Sequence, residues 1–265
     1  MEPKDTSGAL NVAVNAALDA GKLIAQNIAK LDRVKVTQKS RHELVSEVDV
    51  LAETIIVEAL ETAYPDFNII GEESGDSGRD SDYSWIIDPL DGTHNFLHGH
   101  PHCAVSIALN YQDEPVVGVI YDPFRNELFT ARKGAGAQLD NRRIRVSQVT
   151  RLNEALLCTS QPYHDPQDTK PWLKSFAAVL PRAQSIHRVG ASVLDLAYVA
   201  AGRYDGFWEF GLRPWDIAAG SLLVKEAGGL VTDMQGGQNY VATGNLVAGN
   251  PRIHEKLSQL VASQL

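Results

Sequence analysis

Cysteine is scarce in this sequence: only Cys103 and Cys158 occur among 265 residues. They lie far apart and without paired spacing, which excludes a disulfide framework and a cysteine-based zinc finger; two reduced, buried thiols are expected. Long apolar runs are missing as well. No stretch reaches the ~20 apolar residues of a membrane span. The opening MEPKDTSGALNVAVNAALDAG has no basic start followed by a continuous apolar run, so no membrane contact is expected and a cytoplasmic location is. Positive charge is also short, with 24 basic against 33 acidic residues and a formal net charge of −9. That argues against a surface built to neutralise a nucleic-acid backbone, and no direct nucleic-acid binding is expected. The same deficit sets a requirement: a phosphorylated ligand would need a local positive source, from Arg and Lys clusters, helix N-termini or bound cations. Internal repeats, low-complexity segments and an evident interdomain linker are absent too.

What is present is the composition of an ordinary globular protein, 44% hydrophobic and 22% charged. This length suits one large α/β domain or two closely packed lobes. Ala, Leu and Ile at helical spacing predict an opening helix from about Ser7 to Leu31. VKVTQKSRHEL reads as a short hairpin or extended loop, and a second helix runs from about Val45 to Ala63, stopping before Pro65. FNIIGEESG and the run Tyr83 to Ile87 read as strands that both end in carboxylates, with Pro89 expected to stop further ladder pairing after Asp88. AVSIALNY, PVVGVIYD and ELFTARK form an antiparallel meander, and QLDNRRIRV adds a hairpin. From about Ala155 onward, strands and helices alternate in the α/β manner, ending in a helix from Pro251.

Chemistry concentrates at a few of these element ends. The strand Trp85-Ile86-Ile87 delivers Asp88, Asp91 follows three residues later, and Gly92-Thr93 can open a helix whose free N–H groups would favour a phosphate. Hard oxygen ligands on such a rim suit Mg²⁺. Alone, Asp-Pro-x-Asp-Gly is as well explained by a β-turn with Asx hydrogen bonds. Glu72-Glu73 at the end of the neighbouring strand and Asp216 in Arg213-Pro214-Trp215-Asp216 shift the balance toward a shared metal rim, although Asp216 also suits a helix dipole. Asp49 fits a capping box, Ser46-Glu47-Val48-Asp49, as well as a catalytic role, and a capping carboxylate can serve both. His94, His98, His100 and His102 crowd HNFLHGHPH; without a cysteine or a second cluster they read as a loop beside an active site rather than a zinc centre.

Three blocks together resemble the inositol monophosphatase family of metal-dependent phosphatases: Gly71-Glu72-Glu73, Asp88-Pro89-Leu90-Asp91-Gly92-Thr93, and Trp215-Asp216-Ile217-Ala218-Ala219-Gly220 with Glu226-Ala227-Gly228-Gly229. Their order and spacing fit along essentially the whole chain, closest to the bacterial inositol-1-monophosphatase branch. The resemblance implies one α/β (α+β) domain over residues 1–265, a layered α-β-α-β-α sandwich with two packed lobes near 1–150 and 151–265. It also implies a homodimer, two to three Mg²⁺ ions and inhibition by Li⁺. By motif position, Glu72, Asp88 and the Leu90 carbonyl look like ligands of one metal, and Asp88, Asp91 and Asp216 of another; Glu72 also faces a third, weaker ion. Thr93 bonded to Asp49 resembles the pair that activates the attacking water, with Glu72 beside it. Asp91, Gly92, Thr93, Gly190, Ala191, Ser192, Glu209 and Asp216 match positions contacting the bound ester. His94 stands where the family often has a second Thr, and Ser160-Gln161-Pro162-Tyr163 lies in a variable region. The expected substrate is inositol 1-phosphate or a similar polyol or sugar monophosphate. Fructose 1,6-bisphosphate and 3′-phosphoadenosine 5′-phosphate are the related alternatives. The bacterial branch further implies a regulatory protein partner in the transcription machinery.

Overall fold

The computed structural model describes residues 6–40, 43–162 and 166–265. In chain order the elements are α1 (Thr6–Asn27), β1 (Val36–Ser40), β2 (Glu43–Ser46), α2 (Glu47–Ala63), β3 (Asn68–Gly71), β4 (Gly75–Asp76), β5 (Tyr83–Asp91), α3 (Thr93–Leu97), β6 (Ala104–Tyr111), β7 (Glu114–Asp122), β8 (Glu127–Arg132), β9 (Gly136–Leu139) and β10 (Arg142–Arg143). The second part continues with β11 (Leu156–Thr159), α4 (Pro166–Val179), β12 (Ser185–His187), α5 (Ser192–Ala200), β13 (Gly206–Glu209), α6 (Pro214–Glu226), β14 (Leu230–Thr232), α7 (Tyr240–Thr243), β15 (Leu246–Gly249) and α8 (Pro251–Ala262).

Among the described residues β3 to β10 form an eight-stranded sheet in the order 10-9-8-7-6-5-3-4, and β11 to β15 a five-stranded sheet in the order 12-11-13-15-14. Five layers result. The alanine-lined face of α1 and the mixed face of α2 cover one side of the large sheet; α5 and α6 fill the space between the sheets; α4 and α8 close the outer side of the small sheet. In the central pair every residue of α5 and Ile217 to Val224 of α6 are buried, Ser192, Asp195 and Ser221 among them. A sandwiched layer buries its helices on every side, and apolar residues dominate such helices. Close approach is enabled at Gly21 of α1, where a Cβ would lie 2.5 Å from the Tyr121 ring.

Most element boundaries fall within a few residues of the sequence expectation, and two differences carry information. The opening helix ends at Asn27, because Lys30 at φ −131° breaks the α geometry and a 3₁₀ segment, Ile28–Arg33, takes over. The hairpin expected in VKVTQKSRHEL forms as β1 and β2, with Arg41 and His42 outside the described residues. Pairing of β5 does not stop at Pro89: the ladder runs Asp88↔Ser106, then resumes at Asp91↔Ala104 after a register shift. Two residues on β5, Pro89 and Leu90, therefore oppose one on β6, Val105. Proline donates no ladder bond, and the extra residue is absorbed as a bulge.

Candidate active site

Strand alternation would send side chains three residues apart to opposite faces of a sheet. The β5 bulge cancels that, and Asp88 and Asp91 turn toward one rim. Asp216, in the first turn of α6, comes to them from the central helix layer that packs on this sheet. Carboxylate oxygens of Asp88, Asp91 and Asp216 lie within 4.8 Å of one another. Glu72 joins from β3, which runs parallel to β5 with Gly71 opposite Ile87, and its backbone N–H donates to the Ile87 carbonyl at 3.1 Å. Its carboxylate is hydrogen-bonded with that of Asp88.

Such crowding is unfavourable without compensation. Burial first, then the charges of Glu72, Asp91 and Asp216, push the Asp88 carboxyl well above the usual carboxylate range. Burial and Asp216 do the same to Asp91, partly opposed by the hydrogen bond from Val193. Like charges held together in a desolvated place are stable only when protonated or matched by cations. The donors are all oxygen, carboxylates with the Leu90 carbonyl in the same turn, the chemistry preferred by Mg²⁺. The residues present therefore fit a divalent cation.

Beside this rim stands a hydroxyl with a proton acceptor. Asp49 Oδ2 accepts from the Ser46 backbone N–H at 2.9 Å and from the Ser46 hydroxyl, completing the capping box of α2. Its other oxygen accepts from Thr93 Oγ1 at 2.9 Å. Asp49 thus caps a helix and holds Thr93 together, with burial as the main cause of its raised pKa and the Ser46 and Thr93 bonds opposing it. Thr93 Oγ1 also lies 3.1 Å from the Leu90 carbonyl. Gly92, at φ 88°, makes the turn, and a Cβ there would meet the His102 carbonyl at 2.9 Å.

Across a cavity of about 450 Å³, the start of α5 and the end of β13 supply the facing wall. Asp91 Oδ2 accepts the Val193 N–H at 2.8 Å, which ties the β5 rim to the first turn of α5. Ser192 Oγ donates to Glu209 Oε2 at 2.8 Å, and Glu209 is 4% exposed, its carboxyl pushed well up by burial. Glu72, Asp88, Leu90, Asp91, Gly92, Thr93, Gly190, Ser192, Glu209 and Asp216, all expected from sequence, line this one cavity. Asp49 reaches it through Thr93. Ala191 instead caps the start of α5 with its methyl buried in the core between the sheets.

Several participants carry no sequence signal of their own. Ser160, whose Oγ is buried without a hydrogen-bond partner, follows β11 and lines the cavity next to Glu209 on paired β13. Asn95 Nδ2 lies within hydrogen-bond reach of the carbonyls of His102, Val189 and Gly190, at 2.8, 2.9 and 3.1 Å, joining α3 to the loop before α5. Glu53 lies one turn beyond Asp49 on α2 and accepts from the backbone N–H groups of Glu73 and Ser74 at 2.9 and 2.6 Å. Of the histidine group, His94, His98 and His100 line the cavity mouth, while His102 is buried behind it with its pKa pulled down to about 4 by burial. Among the described residues, the metal-type cluster contains carboxylates alone. Cys103 and Cys158 are free and buried, as expected.

Five layers and an acidic rim at the junction of the sheets define the class. The model of the inositol monophosphatase family matches residues 5–265, and the chain belongs to that family. It is 50% identical over 245 residues to the Nus factor SuhB of Escherichia coli strain K12, covering 92% of each chain. To the Nus factor SuhB of Pseudomonas aeruginosa it is 49% identical over 261 residues, covering 97% of this chain and 96% of that one. Among solved structures, the extragenic suppressor protein suhB of Bartonella henselae superposes with a TM-score of 0.94 at 45% identity, over 98% of this chain and all of that one. The inositol monophosphatase of Anabaena gives 0.88 at 38%, covering 98% and 97%. The fold is accordingly the α-β-α-β-α sandwich of this family.

Proposed function

We propose that this protein is a Mg²⁺-dependent phosphatase that hydrolyses the monoester of inositol 1-phosphate or a similar polyol or sugar monophosphate. The observation that carries the reading is the all-oxygen cluster of Asp88, Asp91 and Asp216 in one cavity with the Thr93–Asp49 pair. Glu72, Asp88, the Leu90 carbonyl, Asp91 and Asp216 are the residues that would hold two to three Mg²⁺ ions. Bound there, the ions supply the positive charge that neutralises phosphoryl oxygens and acidifies water. The protein's own groups do the remainder. With its proton shared toward Asp49, Thr93 Oγ1 is left as an acceptor that orients the attacking water, and Asp49 takes the proton passed along the pair. Glu72 steadies Asp88 and borders the same water. Glu209 and Ser192, fixed to each other, accept from ring hydroxyls, while the N–H groups of Gly92 and Thr93 and the Gly190 turn border the ester. Asp91, tied to Val193, couples the metal rim to that wall, so the chain works as one unit with lobes near 1–150 and 151–265.

The test is phosphate release from inositol 1-phosphate, fructose 1,6-bisphosphate and 3′-phosphoadenosine 5′-phosphate, with and without Mg²⁺ and Li⁺. Activity that survives chelation, or persists in Asp91→Asn, sinks the metal-cluster mechanism. The reading also takes the protein as a cytoplasmic homodimer. Supporting the dimer, Leu173 of α4 and Leu180 just beyond it are 54% and 53% exposed. No helix among the described residues is long and apolar enough to cross a membrane. A second role is favoured by the relatives' designation as Nus factors: a protein partner in the transcription machinery. Capture of such a partner by Asp91→Asn as well as by wild type separates that role from catalysis.

A further inference from the structure

Two glycine turns border the cavity, and they come from different sheets. Gly92, at φ 88°, follows β5 of the large sheet, and Gly190, at φ 84°, lies beyond β12 of the small one. Their spacing is therefore set by contacts between the two segments. One such contact is the bond from the Val193 N–H to Asp91 Oδ2, at 2.8 Å, made by a carboxylate that would also hold cations. The other is the side-chain amide of Asn95, which carries no charge.

Asn95 belongs to α3, lines the cavity and is half-buried. Its backbone is fixed, because its carbonyl accepts the N–H groups of His98 and His100 at 3.2 and 2.8 Å. From this anchored position Nδ2 reaches the carbonyls of His102, Val189 and Gly190 at 2.8, 2.9 and 3.1 Å. Only an NH₂ suits the place, since an oxygen would face acceptors alone. These carbonyls lead to both turns. The His102 carbonyl packs against Gly92, where an added Cβ would come within 2.9 Å of it, and an added Cβ at Gly190 would lie 3.7 Å from Asn95 Nδ2 itself. A trans peptide unit is planar with its C=O and N–H opposed, so holding the Val189 and Gly190 carbonyls also fixes the direction of the Gly190 and Ala191 N–H groups that lead into α5.

We propose that Asn95 is a positioning residue: it sets the spacing of the Gly92 and Gly190 turns and thereby the fit of the hydroxyl-bearing part of the ester against the Ser192–Glu209 wall, independently of the cations. This rests on the phosphatase reading of the same cavity and deepens it. Loss of the amide loosens recognition of the polyol and leaves the carboxylate rim as it is.

The test compares inositol 1-phosphate with p-nitrophenyl phosphate, an ester without ring hydroxyls, in wild type, Asn95→Ala and Asn95→Gln. Asn95→Ala is expected to raise KM for inositol 1-phosphate about tenfold more than KM for p-nitrophenyl phosphate, as for loss of the hydrogen bonds that hold one wall, with half-saturating Mg²⁺ within about twofold of wild type. Asn95→Gln keeps the NH₂ but moves it by one carbon, so a smaller rise in the same ratio is expected with the fold retained. A ratio of KM values unmoved in both variants, a fall in kcat alone, or a Mg²⁺ requirement that rises in step with KM overturns the proposal while leaving the phosphatase reading intact. So does melting of both variants below the assay temperature, which would make Asn95 a residue of folding only. Wild type that hydrolyses neither ester overturns both readings.

Discussion

Glu53 offers the sharpest test of how the scaffold positions the acidic rim. Its carboxylate is 2% exposed and receives two backbone N–H groups from the turn that follows Glu72, at 2.9 and 2.6 Å. Gly71 leaves room for it, since a Cβ there would lie 2.6 Å from Glu53 Oε1. Charge-assisted hydrogen bonds of this kind contribute roughly 1.5–3 kcal/mol each. The turn is partly open to water, so Glu53→Ala is expected to destabilise by about 2–4 kcal/mol rather than the full sum, a fall of about 4–8 °C in Tm for a chain of this size. Glu53→Gln is the informative variant. Its amide oxygen accepts one N–H, but its NH₂ faces the other donor, so the turn that follows Glu72 loses one of its two bonds to Glu53 while the side-chain volume is kept. Half-saturating Mg²⁺ should rise several-fold, with excess Mg²⁺ restoring much of kcat. Thermal unfolding and a Mg²⁺ titration of activity check both parts. Wild-type Mg²⁺ dependence in Glu53→Gln, with Tm unchanged, would refute the reasoning.

Three other perturbations follow from the same geometry. Thr93→Ala should lower kcat about 10²–10⁴-fold, the range for losing a positioned proton-transfer group, with Mg²⁺ binding retained; Thr93→Ser should recover much of the rate, which steady-state kinetics decides. Without Mg²⁺, stability should fall as pH rises from the ordinary carboxylate range: Asp88 and Asp91 have raised pKa values, so the folded state binds more protons than the unfolded one. Mg²⁺ should then raise Tm more at pH 8 than at pH 6, and calorimetry showing the opposite order would contradict the cluster electrostatics. Leu173→Glu combined with Leu180→Glu should convert a dimer to monomer in sedimentation, and an unchanged sedimentation coefficient would remove α4 from the interface.

Much of the fold is visible as periodicity. The largely apolar α5 and α6, the alanine stripe of α1 and the meander β6–β8 show their burial in composition and spacing, and their boundaries fall close to expectation. The four-residue α7 escapes because one turn gives no period to detect. The β5 bulge escapes because its cause, a proline that the ladder steps around, looks in sequence like a strand end.

At the site, the local residue types settle the chemistry: acids at strand ends and a helix start, a capping box at Asp49, a glycine turn before Thr93. Each had an adequate local explanation: Asp49 accepts the Ser46 N–H that its capping box requires, and Asp216 sits in the first turn of α6, where it also accepts the Arg213 N–H. What only tertiary structure decides is that these carboxylates meet, because a carboxylate's cost or use depends on neighbours that may be 128 residues away, as from Asp88 to Asp216. The same holds for Glu53, Asn95 and Ser160, whose roles lie in contacts with distant backbone or in facing a shared cavity. Sequence therefore determined the elements and the kind of ligand they favour; packing of the two sheets across α5 and α6 determined the site, since proximity is a property of the folded chain alone.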